Sequence, residues 1–192
     1  MSKFDWIDFS YSWNQEWKSK PVLKEFHSST TNEISKYLRG RKFQFPKIFL
    51  WMRSDGISSF SFTNDVFHVE RNFDFEAYEK STECDKLSIF SKWVLEALFD
   101  SGVGLIKFSE IDNIAQHLVD KKYIYVRTDN IKLNGKKRNN RCQVTFIHSP
   151  YSVTSKIVCR CADFDFSLPD GLFRRDELDY AGSVINIETE VD

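Results

Sequence analysis

PKIFLWMRSDGISSFSFTNDVFHV, residues 46–69, carries the densest strand and turn signals of the chain. From Lys47 to Met52 it is an apolar run bounded by Pro46 on one side and by Ser54, Asp55 and Gly56 on the other, the signature of a buried strand. Asp55-Gly56 then predicts a hairpin, because both central positions of such a turn take positive φ. Residues 57–62 alternate in part, and Val66-Phe67-His68-Val69 follows after Thr63, Asn64 and Asp65. The stretch therefore reads as a three-stranded antiparallel meander.

Beyond this segment the period changes to that of a helix. Residues 85–99, DKLSIFSKWVLEALF, place Phe90, Trp93, Val94, Ala97 and Leu98 on one helical face, and Gly102 is placed to end the helix. This is expected to be the best-buried helix, with Trp93 fully packed. A second helix is predicted from Ser109 as N-cap, with Ile111, Ile114, Ala115, Leu118 and Val119 inward and Lys121 and Lys122 at its negative end. The two form a helix pair lying on a sheet. Upstream, Thr30-Thr31-Asn32-Glu33 offers a capping box for a short helix carrying Ile34, Tyr37 and Leu38 and stopped by Gly40. The first 17 residues hold Phe4, Trp6, Phe9, Tyr11, Trp13 and Trp17, rings too costly to leave in water, so this segment docks on the domain.

Beyond the helices, YIYVRTDNIKL (residues 123–133) and RCQVTFIH (residues 141–148) flank an Asn134-Gly135 turn with a basic tip at Lys136, Lys137 and Arg138. SKIVCRCADFDF, residues 155–166, supplies a third strand, and residues 184–187 a short last one. Taken together, the chain is α+β: antiparallel β-sheet, a meander plus long hairpin strands, with a packed helix pair. No repeat or linker divides it, so residues 1–192 read as a single domain.

Composition narrows the class. With 41% hydrophobic residues, 18 Phe and 5 Trp, the chain has ample material for a core, and wholesale disorder is excluded. No stretch approaches the roughly 18 uninterrupted apolar residues of a membrane helix, so no membrane partner is expected. Asp5 and Asp8 interrupt the start, MSKFDWIDFSYSW, which lacks the pattern of a signal peptide, so the expected location is cytoplasmic. Cys84, Cys142, Cys159 and Cys161 are then expected as reduced, mostly buried thiols. Net charge is only -1, yet residues 121–162 hold ten Lys/Arg against one acid, while residues 163–192 hold nine acids against two Arg. That split is the strongest anomaly in the sequence.

No site motif stands out. Cys159-x-Cys161, with Cys142 and His148 nearby, has the wrong spacing for the common zinc cages, and no metal or other cofactor is expected. His27, His68, His117 and His148 are scattered, and neither a nucleophile motif nor a glycine-rich phosphate loop occurs. Asp163 and Asp165 with His148 form the one acid and base set available to an enzyme acting on nucleic acid or phosphoester; a solvated strand face accounts for the same alternation. Lys136, Lys137 and Arg138, with Tyr123, Tyr125 and Phe146 as stacking rings, would suit a nucleic-acid-binding module, against which stand the acidic segment and a sequence pI near 6.4. The acidic segment itself, Asp163, Asp165, Asp170, Asp176, Glu177 and Asp179 with Phe173 and Tyr180 as anchors, reads equally as a solvated edge or as a surface for a basic protein partner.

In kind, the chain resembles bacterial toxin-immunity proteins of the contact-dependent inhibition type. The resemblance rests on modest length, abundant Phe and Trp, a helix such as DKLSIFSKWVLEALF beside antiparallel strands, and an acidic stretch such as DFDFSLPDGLFRRDELD. It covers the whole chain loosely and carries no specific motif. It implies a non-catalytic protein that binds and neutralises a cognate toxin domain, and carries no family residue onto a position here; the charge split and its flanking rings are what point to partner contacts through Asp163, Asp165, Asp170, Phe173, Asp176, Glu177, Asp179 and Tyr180. The near-neutral charge departs from the strongly acidic character expected of a decoy for a basic nuclease.

Overall fold

The computed structural model describes residues 2–12, 21–56, 58–102, 104–132, 141–150, 152–158 and 163–167; at positions 2, 11–12, 21–28, 131–132, 141–142, 153 and 163–167 it describes the backbone alone. The chain divides into two units, Met1–Tyr123 and Ile124–Asp192. The class is α+β, as expected, with one mixed and one antiparallel four-stranded sheet plus helices.

In the first unit the apolar run Lys47–Arg53 is a strand, β4, counting from β1 (Ser2–Lys3), β2 (Trp6–Ser12) and β3 (Lys42–Phe43). It is a central strand. β2 and β6 (Val66–Asn72) both run parallel to it, and β5 (Ser59–Thr63) pairs antiparallel with β6, giving the order β2-β4-β6-β5. The expected meander is thus corrected: β4 and β5 are not neighbours. The physical reason lies in β4 itself. Ile48, Leu50 and Met52 are buried on one face, and Phe49, Trp51 and Arg53 on the other are half-buried, a largely apolar run that suits a central strand with parallel neighbours better than a hairpin arm with one solvated face. Gly56, at φ +74, does turn the chain, but its N–H donates to Asn72 Oδ1 at 3.1 Å, which pins the turn beside the end of β6. The hairpin turn is Asn64-Asp65, with φ of +48 and +65 at its two central residues, as the twist-matched two-residue turn requires.

Parallel β2 and β4 need a crossover, and α1 (Pro21–Leu38) provides it. α1 is longer than the expected short helix, and Thr30 and Glu33 lie inside it rather than at its cap. One turn on, Ser35 Oγ donates to the Thr31 carbonyl at 2.7 Å and accepts the Ile7 N–H at 2.8 Å, tying the helix to β2. Ile34 and Leu38 are buried, Tyr37 is 40% exposed, and Gly40, at φ +82, ends the helix as expected. The N-terminal segment docks: β1 pairs with β3, Phe4 and Ile7 are buried, and Phe9 meets Phe90 edge-on at 5.6 Å. Trp13 and Trp17 lie outside the described residues.

After β6 come α2 (Phe75–Lys80), capped by Asp74, and α3 (Glu83–Asp100). Phe90, Val94, Ala97 and Leu98 are fully buried and Trp93 nearly so, bearing out the helix read from residues 85–99. The next helix, α4 (Ile111–Asp120), is preceded by a single turn of 3-10 helix, Phe108–Glu110. Ser109 sits within that turn instead of capping the helix; the Glu110 carboxylate, accepting the Lys107 N–H at 2.9 Å, takes the capping part. Ile111, Ile114 and Leu118 face inward, whereas Val119 is 51% exposed, contrary to expectation. The helices cover the sheet face that carries Ile7, Ile48, Leu50, Met52, Phe67 and Val69. No helix of the described residues is long and apolar enough to cross a membrane.

The second unit is an antiparallel meander of β7 (Tyr125–Lys132), β8 (Arg141–His148), β9 (Val153–Val158) and β10 (Asp163–Ser167), in the order β10-β9-β8-β7. The long hairpin is as expected, with Tyr125 opposite His148 and Lys132 opposite Arg141. Residues 155–166, expected as one strand, are split between β9 and β10, which pair with each other. Val144, Phe146 and Ile157 are fully buried; Val126, Ile147 and Val158, on the alternate positions, are exposed. The strand expected at residues 184–187 lies outside the described residues.

Candidate functional site

Because β2, β4 and β6 are in parallel register, the residues alternating with the core set line up in rows on the face away from the helices. Asp8, Phe49 and His68 make one row, continued by Ser61 of β5. Ser10, Trp51, Glu70 and Ser59 make the next, and Trp6 lies beside Lys47 in the row on the other side. The large side chains here are half-buried rather than sealed: Trp6, Phe49, Trp51, Arg53, His68 and Glu70 all keep partial access. The rings touch, Phe49 lying 5.9 Å from Trp51 and 5.7 Å from His68, and Lys47 Nζ sits 5.6 Å over the Trp6 ring.

The charges of this face are organised. Arg53 Nη1 donates to Glu70 at 2.9 Å, and its other nitrogens engage Asp55, which holds the guanidinium charged more firmly than usual. Asp8 accepts the Phe9 N–H at 2.9 Å, yet burial outweighs that bond and pushes its carboxyl above the ordinary value. Trp, Arg and clustered rings with partial solvent access are the residue types that anchor protein interfaces, and paired charges around them form the corresponding rim. Sequence reasoning passed over this face. Its trace is visible in KIFLWMR, where the positions alternating with Ile48, Leu50 and Met52 are themselves Phe, Trp and Arg.

The residues singled out from sequence are distributed otherwise. Asp163 and Asp165 lie on β10, opposite Val158 and Lys156. Asp170, Phe173, Asp176, Glu177, Asp179 and Tyr180 lie outside the described residues, as do Lys136, Lys137, Arg138, Cys159 and Cys161. The acid and base set is not assembled by the ladder. Asp165 shares a row with Lys156 and Thr145, whereas His148 shares one with Tyr125 and Val153, three residues away or roughly 10 Å along the strand. His148 is 5% exposed, and burial, aided by Arg127, pushes its pKa down to about 4, so it is a neutral core histidine at neutral pH. The rings proposed for base stacking, Tyr123, Tyr125 and Phe146, are all buried; Phe146 instead lies under the Arg127 guanidinium at 4.5 Å. Cys84, expected among the buried thiols, is exposed.

One further pair was not foreseen. Glu33, 4% exposed on α1, meets His117 Nε2 of α4 at 3.0 Å, and the imidazole packs on Tyr37 at 5.2 Å. Arg41, 5.7 Å over the same Tyr37 ring, continues to Glu110, whose carboxyl the Lys107 N–H and Arg41 hold below its usual range. This chain of contacts fastens α1 to α4 in the first unit. No family model matches the sequence, and neither a curated protein nor a solved structure matches it.

Proposed function

We propose that this chain is a non-catalytic protein-binding module, of the toxin-immunity kind its composition resembles, acting inside the cell on a cognate toxin domain. The observation that carries the binding reading is the face of the first sheet that no helix of the described residues covers. There Trp6 lies on β2 beside Lys47, and Phe49, Trp51 and Arg53 follow one another along β4, all half-buried and held by cation–π, ring and ion-pair contacts, so little conformational freedom is lost on docking. The acidic residues Asp170, Asp176, Glu177 and Asp179 supply steering toward a basic partner in this reading.

The test is protection and binding against the toxic terminal domain of a secreted protein encoded beside this gene. Cells expressing that domain should survive when this chain is present. Trp6→Ala with Arg53→Ala should weaken the complex by about 2 kcal/mol or more while leaving the fold intact. Reversing Asp176, Glu177 and Asp179 to Lys should slow association more than it speeds dissociation, and raised salt should mimic it. A folded Trp6→Ala, Arg53→Ala variant that binds and protects like wild type would remove this face from the reading.

A further inference from the structure

β5 is the terminal strand of its sheet among the described residues, and it carries neither the charges nor the proline by which edge strands avoid pairing. Its sequence, Ser59-Phe60-Ser61-Phe62-Thr63, has no proline, and no charged residue occurs from position 56 to position 64. The Asn64-Asp65 turn makes Thr63 and Val66 a hydrogen-bonded pair, so by alternation Ser61 and Ser59 also bond toward β6. The N–H and C=O groups of Phe60 and Phe62 therefore point outward, where the ladder offers them no strand among the described residues. Their rings are open as well: Phe60 is 50% and Phe62 70% exposed. They are nevertheless held in place, Phe62 stacked on Phe45 at 5.5 Å and Phe60 on Phe67 at 6.3 Å, so docking them costs little entropy.

We propose that β5 pairs antiparallel with β5 of a second copy about a two-fold axis at Ser61, joining the two four-stranded sheets into one continuous sheet. The strand is self-complementary about that centre. Antiparallel pairing there sets Phe60 opposite Phe62, Phe62 opposite Phe60, and Ser59 opposite Thr63, so each copy meets its own residue class. The outward groups of Phe60 and Phe62 become the hydrogen-bonded pairs, four bonds in all by the antiparallel pattern. Ser61 meets Ser61 at the close, non-hydrogen-bonded spacing, where small side chains fit. On the ring-bearing face, four phenylalanines merge into one apolar cluster, and no like charges are brought together. The strand is short, so the interface belongs to the weak, reversible class.

Sedimentation velocity over a concentration series of the full chain tests this. Wild type and Ser61→Ala should show a monomer–dimer equilibrium in the micromolar range. Ser61→Lys, which opposes two ammonium groups at the axis and leaves the rings untouched, should weaken it about tenfold or more at unchanged melting temperature. Amide exchange supplies a second readout that does not depend on a variant folding: the Phe60 and Phe62 amides should become protected as concentration rises, while that of Ser61 should be slow throughout. A wild-type chain that stays monomeric at hundreds of micromolar, a Ser61→Lys dimer as strong as wild type, or Phe60 and Phe62 amides insensitive to concentration would each overturn the proposal.

Discussion

The indole Nε1–H of Trp93 donates to the Asn72 carbonyl at 2.8 Å, joining the most deeply set helix to the last residue of β6. The same ring meets Phe73 edge-on at 5.7 Å and lies stacked at 6.4 Å from Phe90. Trp93→Ala should therefore cost about 3–5 kcal/mol, the range for a large buried ring replaced by methyl. Trp93→Phe should keep most of the packing and lose roughly 1 kcal/mol for the hydrogen bond beyond the lost area. Urea unfolding followed by circular dichroism measures both, and an alanine variant with the wild-type midpoint would contradict the packing described.

The helix around Trp93 was legible because its periodicity, caps and terminating glycine agree. The β7–β8 hairpin was legible because two long strand-patterned runs flank a polar segment rich in Asn, Gly and Lys. Strand neighbours in the first sheet were not. A turn signal such as Asp55-Gly56 says that the chain reverses, not which strand it then joins, and β4 pairs with β6 through contacts that no local motif encodes. The start of α1 was hidden for a related reason: Thr30 and Glu33 have the chemistry of a cap, but the helix is fixed by contacts distant in sequence, Ser35 to β2 and Glu33 to α4. The candidate face went unread because its rings lie on three strands and converge only through parallel register.

Asn64 and Asp65 carry positive φ without being glycine, so the hairpin that sets the register of β5 is sensitive there. Asn64→Ala or Asp65→Ala should cost about 1 kcal/mol or more, since alanine lacks the local hydrogen bonding that makes this region tolerable. Asp65→Gly, which creates Asn-Gly, should match or exceed wild-type stability by a few tenths of a kcal/mol. Thermal melts of the three variants decide; equal losses for alanine and glycine would mean that φ is not the controlling factor.

His148 gives the second unit an acid-sensitive element. Its pKa is about 4 folded against 6.5 ordinarily, so between those values the unfolded chain binds a proton that the folded chain refuses. Its neutral form is fully accommodated above pH 6.5, and stability is lost as pH falls from there toward 4. The loss is on the order of 2–3 kcal/mol at the lower end. Comparing urea midpoints of wild type and His148→Phe at pH 7 and pH 4.5 isolates it from the carboxylates that titrate in both. The variant should lose less on acidification; a parallel decline would show that His148 is not protonated on unfolding.

The Glu33–His117 contact offers a sharper test, because removing one partner and removing both should have opposite rank. Glu33 is buried on α1, and the imidazole of His117, 84 residues on, supplies the hydrogen bond at 3.0 Å that compensates its lost water. His117→Ala strips that compensation and leaves the carboxylate desolvated, at a cost of about 1–3 kcal/mol. Glu33→Met fills the same length with apolar atoms and has nothing left to satisfy. The double variant Glu33→Met, His117→Ala should then be more stable than His117→Ala alone, although it differs from wild type at one more position. The packing of Tyr37 on the imidazole is lost in both variants that lack His117, so it cancels from the comparison. Urea unfolding of wild type, the two single variants and the double variant closes the cycle. If the double variant is the least stable of the four, Glu33 is stabilised by something other than His117, and the α1 to α4 fastening must be sought at Arg41 and Glu110 instead.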